Sequence, residues 1–267
     1  MKPHILKTYA GNPKIKQISE NLAVRENKIQ IKGLIGSSLS FVVASLFEKS
    51  ELPYLLILQD KEEAAYYLND LEQLIGEEDV LFYPGSYRRP YQIEETDNAS
   101  VLLRAEVLNR INSRKKPAVI VTYPEALFEK VVTRKELDKN TLKVAVGDQI
   151  SIDFINEVLF EYEFKRVDFI TEPGEFSVRG GILDVFSFSN ENPFRIEFFG
   201  NEVDSIRTFD VETQLSIEKQ KKITIIPNVE NKFFQENRES FLNYINEKTV
   251  LFIQNTELLF SKLDQLF

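Results

Sequence analysis

Between Ile29 and Glu129, four short apolar runs alternate with four helical patterns, and no other feature limits the possible fold as tightly. The pairs are Ile29–Ile31 with Ser38–Phe47, Tyr54–Leu58 with Lys61–Leu74, Val80–Tyr83 with Asn98–Asn112, and Ala118–Thr122 with Pro124–Glu129. Strand and helix in repeated alternation bring each new strand back parallel to the last, so the pattern predicts a parallel sheet flanked by helices. From about Thr141 the texture changes. An amphipathic helix over Ser151–Tyr162 leads into strand-rich stretches at Phe164–Thr171, Glu175–Phe188, Phe194–Phe199 and Val203–Phe209. Turn signals at Glu172-Pro173-Gly174, Gly180-Gly181, Ser189-Asn190-Glu191-Asn192-Pro193 and Gly200-Asn201 punctuate them, as antiparallel hairpins require. After Ile225-Ile226-Pro227 the first texture returns, with Gln235–Asn246, Val250–Gln254 and Thr256–Phe267. The expected architecture is an α/β parallel-sheet domain over 1–140, interrupted by a small α+β domain with an antiparallel sheet over 141–227, and resumed over 228–267. A length of 267 residues, against about 150 per domain, agrees with two such bodies.

Composition removes several kinds of chemistry. There is no Cys, so no disulfide, thiol nucleophile or cysteine zinc site is possible, and the single His, His4, sits at the start of the chain and cannot make a triad or a metal cage. The net charge of −9 opposes the basic stripe of a protein that grips duplex phosphates unaided. Residues 151–210 alone carry thirteen acidic and five basic side chains. No run approaches about 18 consecutive apolar residues, and the opening MKPHILKTYAGNPKIKQ lacks a hydrophobic signal core, so no membrane association and a cytoplasmic location are expected.

The segment Gly33-Leu34-Ile35-Gly36-Ser37-Ser38-Leu39-Ser40 follows an expected strand and opens an expected helix, the place of a Walker A loop. Laid on G-x-x-x-x-G-K-[ST], Gly33 and Ser40 fit, but Ser38 stands at the second glycine and Leu39 at the lysine that neutralises phosphate charge. Gly36 falls inside the loop. The strand Ala118–Thr122 runs into Tyr123-Pro124-Glu125 rather than an Asp-Glu pair that could bind Mg²⁺. Two readings stay open here: a ligand-free strand-to-helix turn, or a degenerate P-loop-NTPase-like domain whose site has lost its chemistry. In Tyr83–Tyr91, the residues Tyr87, Arg88 and Arg89 have the mixture of rings and cations that stacks on bases, and equally that of a Pro-rich solvated loop. Asp168, Glu172 and Glu175 read as solvated hairpin charges, as do Lys219, Lys221 and Lys222.

Strand parity is more informative, because side chains alternate between faces. In Phe194–Phe199, Phe194, Ile196 and Phe198 share one face, and Arg195, Glu197 and Phe199 share the other. By the same count Arg179 lies opposite Phe176 and Val178. Phe199 among arginines has the composition of a protein-binding hot spot, unless another element covers that face and makes it ordinary core.

These same residues carry a resemblance. Glu172-Pro-Gly-Glu-Phe-Ser-Val-Arg-Gly-Gly-Ile-Leu-Asp-Val-Phe186, then Arg195-Ile-Glu-Phe-Phe-Gly-Asn-Glu-Val-Asp-Ser-Ile-Arg207 with Phe209-Asp210, resemble the bacterial transcription-repair coupling factor (Mfd) family, in a module shared with the excision-repair protein UvrB. The resemblance implies a P-loop-like α/β domain interrupted by a small domain that binds UvrA. Leu39, where UvrB has its lysine, implies a dead ATP site and assigns the chain to the coupling factors. The alternative is a UvrB-like DNA-damage-binding ATPase or helicase subunit. Matched by motif, the UvrA-contacting residues fall on Arg166, Arg179, Arg195 and Phe199, and an arginine that UvrB has two positions before Arg179 is Ser177 here. The resemblance implies no catalytic residue, metal or cofactor in this stretch. ATP and Mg²⁺ would serve a double-stranded-DNA translocase motor elsewhere in the parent protein, through which RNA polymerase and DNA would also be engaged.

Overall fold

The computed structural model describes residues 4–22, 27–50, 52–86, 98–112, 116–230 and 238–266. The chain divides into two compact units, each made of discontinuous segments: residues 1–85, 113–130 and 240–267 in the first, and 86–112 with 131–239 in the second.

The first unit holds a four-stranded, wholly parallel sheet in the order Val250–Ile253, Tyr54–Ile57, Val119–Thr122, Val80–Phe82. Its middle strands are buried on both faces, which is why they read as unbroken apolar runs rather than alternations. The helix Lys61–Ile75 starts on Asp60, whose carboxylate accepts the Glu63 amide at 2.8 Å, and it buries Ala64, Tyr67, Leu71 and Leu74 along one stripe. The expected strand Ile29–Ile31 does not join this sheet; residues 27–35 form no strand, and Ile29 is exposed. Lys28-Ile29-Gln30-Ile31-Lys32 alternates apolar with polar and can bury only one face, whereas a strand inside a parallel sheet must bury two. From His4 onward, helices His4–Gly11 and Pro13–Leu22 bury Leu6 and Ile15, and Tyr9 stacks on Phe41 at 5.2 Å.

The second unit is built on a six-stranded sheet in the order Ser216–Gln220, Glu202–Phe209, Phe194–Phe199, Ile182–Val185, Glu175–Arg179, Lys165–Arg166, antiparallel except for its last pair. One face carries Phe176, Leu183, Val185, Ile196 and Ile206 into the core, and the helix Ile152–Glu161 supplies buried Ile155 and Leu159, with Phe160 meeting the ring of Phe176 edge-on at 5.2 Å. The expected strand Phe164–Thr171 stops after Arg166. Beyond it the chain turns across the sheet, where Ser177 Oγ donates to the Asp168 carbonyl at 3.0 Å. Glu175 is not a solvated hairpin charge: it is buried, and its Oε2 accepts from Thr171 N, Thr171 Oγ1 and Glu172 N at 2.8, 3.0 and 3.2 Å. The turn at Gly174 requires glycine, since φ is +88° and a Cβ would lie 2.6 Å from the Phe188 ring.

Helix Asn98–Asn112 belongs to this second unit, as do residues 131–140 and 228–239, all assigned by sequence texture to the first domain. Its fully buried Arg104 donates from Nε to Glu230 Oε1 at 2.7 Å, and Arg238 Nη1 reaches Glu230 Oε2 at 2.8 Å. Of the expected helix Gln235–Asn246, residues 235–237 lie outside the described residues, Arg238–Glu239 pairs as a strand with Val131–Val132, and Phe241–Tyr244 is helical. Glu106 of the same long helix lines a cleft of about 270 Å³ with Glu191, Asn190 and Thr208. Burial, then the nearby Glu191 carboxylate, raises the Glu106 carboxyl above its ordinary value. A carboxylate raised in the folded state costs stability at neutral pH, and the cost disappears as pH falls through its folded value to the ordinary value of about 4.3. Glu106→Gln is therefore expected to raise the melting temperature at pH 7 and to lose that advantage near pH 4, as followed by circular dichroism.

Candidate protein-docking surface

The strand pairing settles which residues share the outer face of the six-stranded sheet. Asp184 lies opposite Arg195 on one side and Ser177 on the other, Arg179 opposite Ile182, and Arg207 opposite Arg195. Arg179, Arg195 and Phe199 thus stand on one face, as parity predicts. Arg166 is exposed, but its register partner is Phe176, so it belongs to the opposite parity at the sheet's edge.

These residues differ sharply in what they offer a partner. Phe199 ends its strand before the turn at Gly200 and is 84% exposed. Arg179 is 40% exposed in its side chain, with its guanidinium 5.2 Å above the ring of Phe169. Arg195 is only 13% exposed. Its Nε and Nη2 grip the two oxygens of Asp184 at 2.7 and 2.9 Å, Nη2 also reaches Gln214 Oε1 at 3.1 Å, and its cation lies 4.2 Å over the buried Phe209 ring. The Asp184 hydrogen bond is the main cause that raises the Arg195 pKa, so the guanidinium is held charged. Beside them, Glu197 accepts from Ser205 Oγ at 2.6 Å and from Arg207 Nη2 at 2.5 Å, and these bonds hold its carboxyl below the ordinary range.

Sequence reasoning missed two members of this face. Phe169 is 65% exposed and belongs to the segment that the structure folds over the sheet instead of continuing as a strand. Asp184 alternates inconspicuously among apolar residues in Ile182–Val185, and only the pairing of three strands reveals that it joins two arginines. Ser177 is buried, and its hydroxyl donates to the Asp168 carbonyl.

In the first unit, Gly33 and Gly36 have positive φ, of 83° and 54°, and the helix Ser38–Phe47 opens just after them. Several groups around the helix start are engaged within the chain. Ile35 N donates to Ser38 Oγ at 2.7 Å, Tyr67 donates to the Gly36 carbonyl at 3.2 Å, and Ser40 is buried with its hydroxyl on Asp70 at 3.0 Å. Leu39 brings no charge. After the strand Val119–Thr122, Glu125 is paired with Lys262 at 2.9 Å, and Lys262 also donates to the Gln59 carbonyl at 2.7 Å. Leu39 stands where a phosphate-binding loop of this kind has its lysine, and the hydroxyl of Ser40, at the position that would meet Mg²⁺, donates to Asp70. Tyr87, Arg88 and Arg89 lie outside the described residues. Among the described residues, no group of three metal-ligating side chains occurs, and no helix is long and apolar enough to cross a membrane.

Comparison with known proteins meets the docking face. A family model described as the UvrB interaction domain matches residues 142–231, which include every residue of that face. The chain is 34% identical over 198 residues to the transcription-repair-coupling factor of Bacillus subtilis, covering 74% of this chain and 17% of that protein. Those of Staphylococcus haemolyticus and Escherichia coli are 32% and 26% identical, over 84% and 79% of this chain and 19% and 18% of theirs. The chain thus spans less than a fifth of the curated relatives it matches.

Proposed function

Because this chain carries a UvrB interaction domain and is related over most of its length to the transcription-repair-coupling factors, we propose that it is a non-catalytic docking module that recruits UvrA in transcription-coupled excision repair. The observation that carries this reading is Phe199: a large ring left 84% exposed at the end of a strand, on the sheet face that also carries Arg179, inside the matched domain. Leaving such a ring in water is unfavourable, and burial in a partner's pocket recovers the lost apolar free energy. Arg179 adds direction, since a fork of N–H donors selects a carboxylate or carbonyl. Arg166 is a contact at the rim, where an exposed charge contributes little affinity and more to the rate of encounter. The local cations stand on a strongly acidic stretch, so recognition here is by a few placed groups rather than by bulk charge.

The first unit is, on this reading, a P-loop-like domain retained as scaffold, with Gly33, Gly36, Ser38, Leu39 and Ser40 marking a loop that binds no nucleotide. ATP hydrolysis, Mg²⁺ binding, DNA translocation and contact with RNA polymerase belong to other parts of the parent protein. Calorimetric titration with Mg-ATP is expected to give no heat of binding for the chain, and Leu39→Lys alone is expected not to create a site, because Ser40 remains committed to Asp70. A micromolar dissociation constant in either would contradict the dead-loop reading and favour a UvrB-like ATPase.

A further inference from the structure

We propose that Asp184 is the positioning residue of the docking face and that Arg195 acts through it rather than by touching the partner; the proposal rests on the UvrA-docking reading above. Asp184 is 2% exposed and sits on the strand between those of Arg179 and Arg195. Its Oδ1 accepts from Arg195 Nε, and its Oδ2 accepts from both Arg195 Nη2 and Arg179 Nη2. One negative charge is therefore shared by two positive ones. Arg195 spends its fork on that carboxylate, its second Nη2 contact on Gln214, and one face of its guanidinium on Phe209. Little of it is left for a partner. Arg179 gives Asp184 a single nitrogen, rests on Phe169, and keeps much of its side chain in solvent.

The consequence is a division of labour. Arg195 offsets the charge of a buried carboxylate and holds its plane, a bidentate geometry that a lysine cannot reproduce. The oriented carboxylate in turn fixes Arg179, so that a long, rotamer-rich side chain is ordered before the partner arrives and less entropy is lost on binding. Without Asp184 the two guanidiniums face each other unscreened across the intervening strand, and Arg179 leaves its place.

The test uses the intact chain and two readouts. Arginine Nε–H NMR of the free protein is expected to show Arg195 protected from solvent exchange and Arg179 slowed in rotation, with both signatures lost in Asp184→Asn. Titration with UvrA is expected to show Asp184→Asn about tenfold weaker or worse, and Arg195→Lys weakened likewise. Should Asp184→Asn not fold, Arg195→Lys carries both readouts. Arginine signals that are the same in the variant and the wild type overturn the proposal. Full UvrA affinity in Asp184→Asn, with affinity abolished by Phe199→Ala, overturns it as well and leaves the docking reading standing. Failure of the wild type to bind UvrA overturns the docking reading instead, and the NMR arm then still decides whether Asp184 sets the two guanidiniums.

Discussion

Phe199→Ala is expected to weaken the complex with UvrA by about 2 to 4 kcal/mol, roughly thirty-fold to several hundred-fold, while leaving the stability of the chain within about 0.5 kcal/mol of the wild type. Both halves follow from exposure. A ring 84% open to solvent contributes little to its own fold, so its removal leaves no cavity and strips no neighbour. In a complex the same ring would be desolvated in a partner's pocket, where truncation of an aromatic anchor is costly. An ordinary core phenylalanine shows the reverse: loss of about 3 to 5 kcal/mol of stability on truncation. Parallel urea denaturation and UvrA titration of Phe199→Ala distinguish the two, and a destabilised chain with unchanged affinity would place Phe199 among structural residues.

Glu230→Ala is expected to be the more damaging substitution for the fold, at about 3 to 5 kcal/mol, because it takes from the fully buried Arg104 the carboxylate that faces it and from Arg238 an acceptor at 2.8 Å. Against a total stability of about 5 to 15 kcal/mol, such a loss brings the second unit near its unfolding midpoint at physiological temperature. Replacing charge on both sides, as in Arg104→Met with Glu230→Leu, is expected to recover part of the loss, since it removes the buried Arg104 charge with its carboxylate while Arg238 still loses Glu230. Urea midpoints for the single and double variants test this. Equal, small losses of under about 1 kcal/mol in both would show that the ion pair is solvent-screened and not what ties helix Asn98–Asn112 to this unit.

The hairpin strands and their faces were legible in the sequence because period-two alternation and glycine turns are local: Gly180-Gly181 and Gly200-Asn201 set the register that puts Arg179, Arg195 and Phe199 together. What escaped was non-local or needed three dimensions. Arg104 and Glu230 are 126 positions apart, so nothing in either neighbourhood announces their pairing, and helix Asn98–Asn112 was assigned by its place in the alternation rather than by its partner. Ile29–Ile31 looked like a strand by apolar content, but one buriable face does not suffice inside a parallel sheet. Glu175 reads as a solvated charge and Asp184 draws no reading at all, because a carboxylate's burial is decided by donors on other segments, here the Thr171–Glu172 turn and two arginines.

The most direct test of the docking account is a titration of UvrA with the intact wild-type chain, followed by calorimetry or fluorescence anisotropy. The account predicts saturable binding with a dissociation constant in the micromolar range or below, weakened about thirty-fold or more by Phe199→Ala. No binding by a folded wild-type chain at concentrations approaching about 1 mM, or equal binding by wild type and Phe199→Ala, would contradict it.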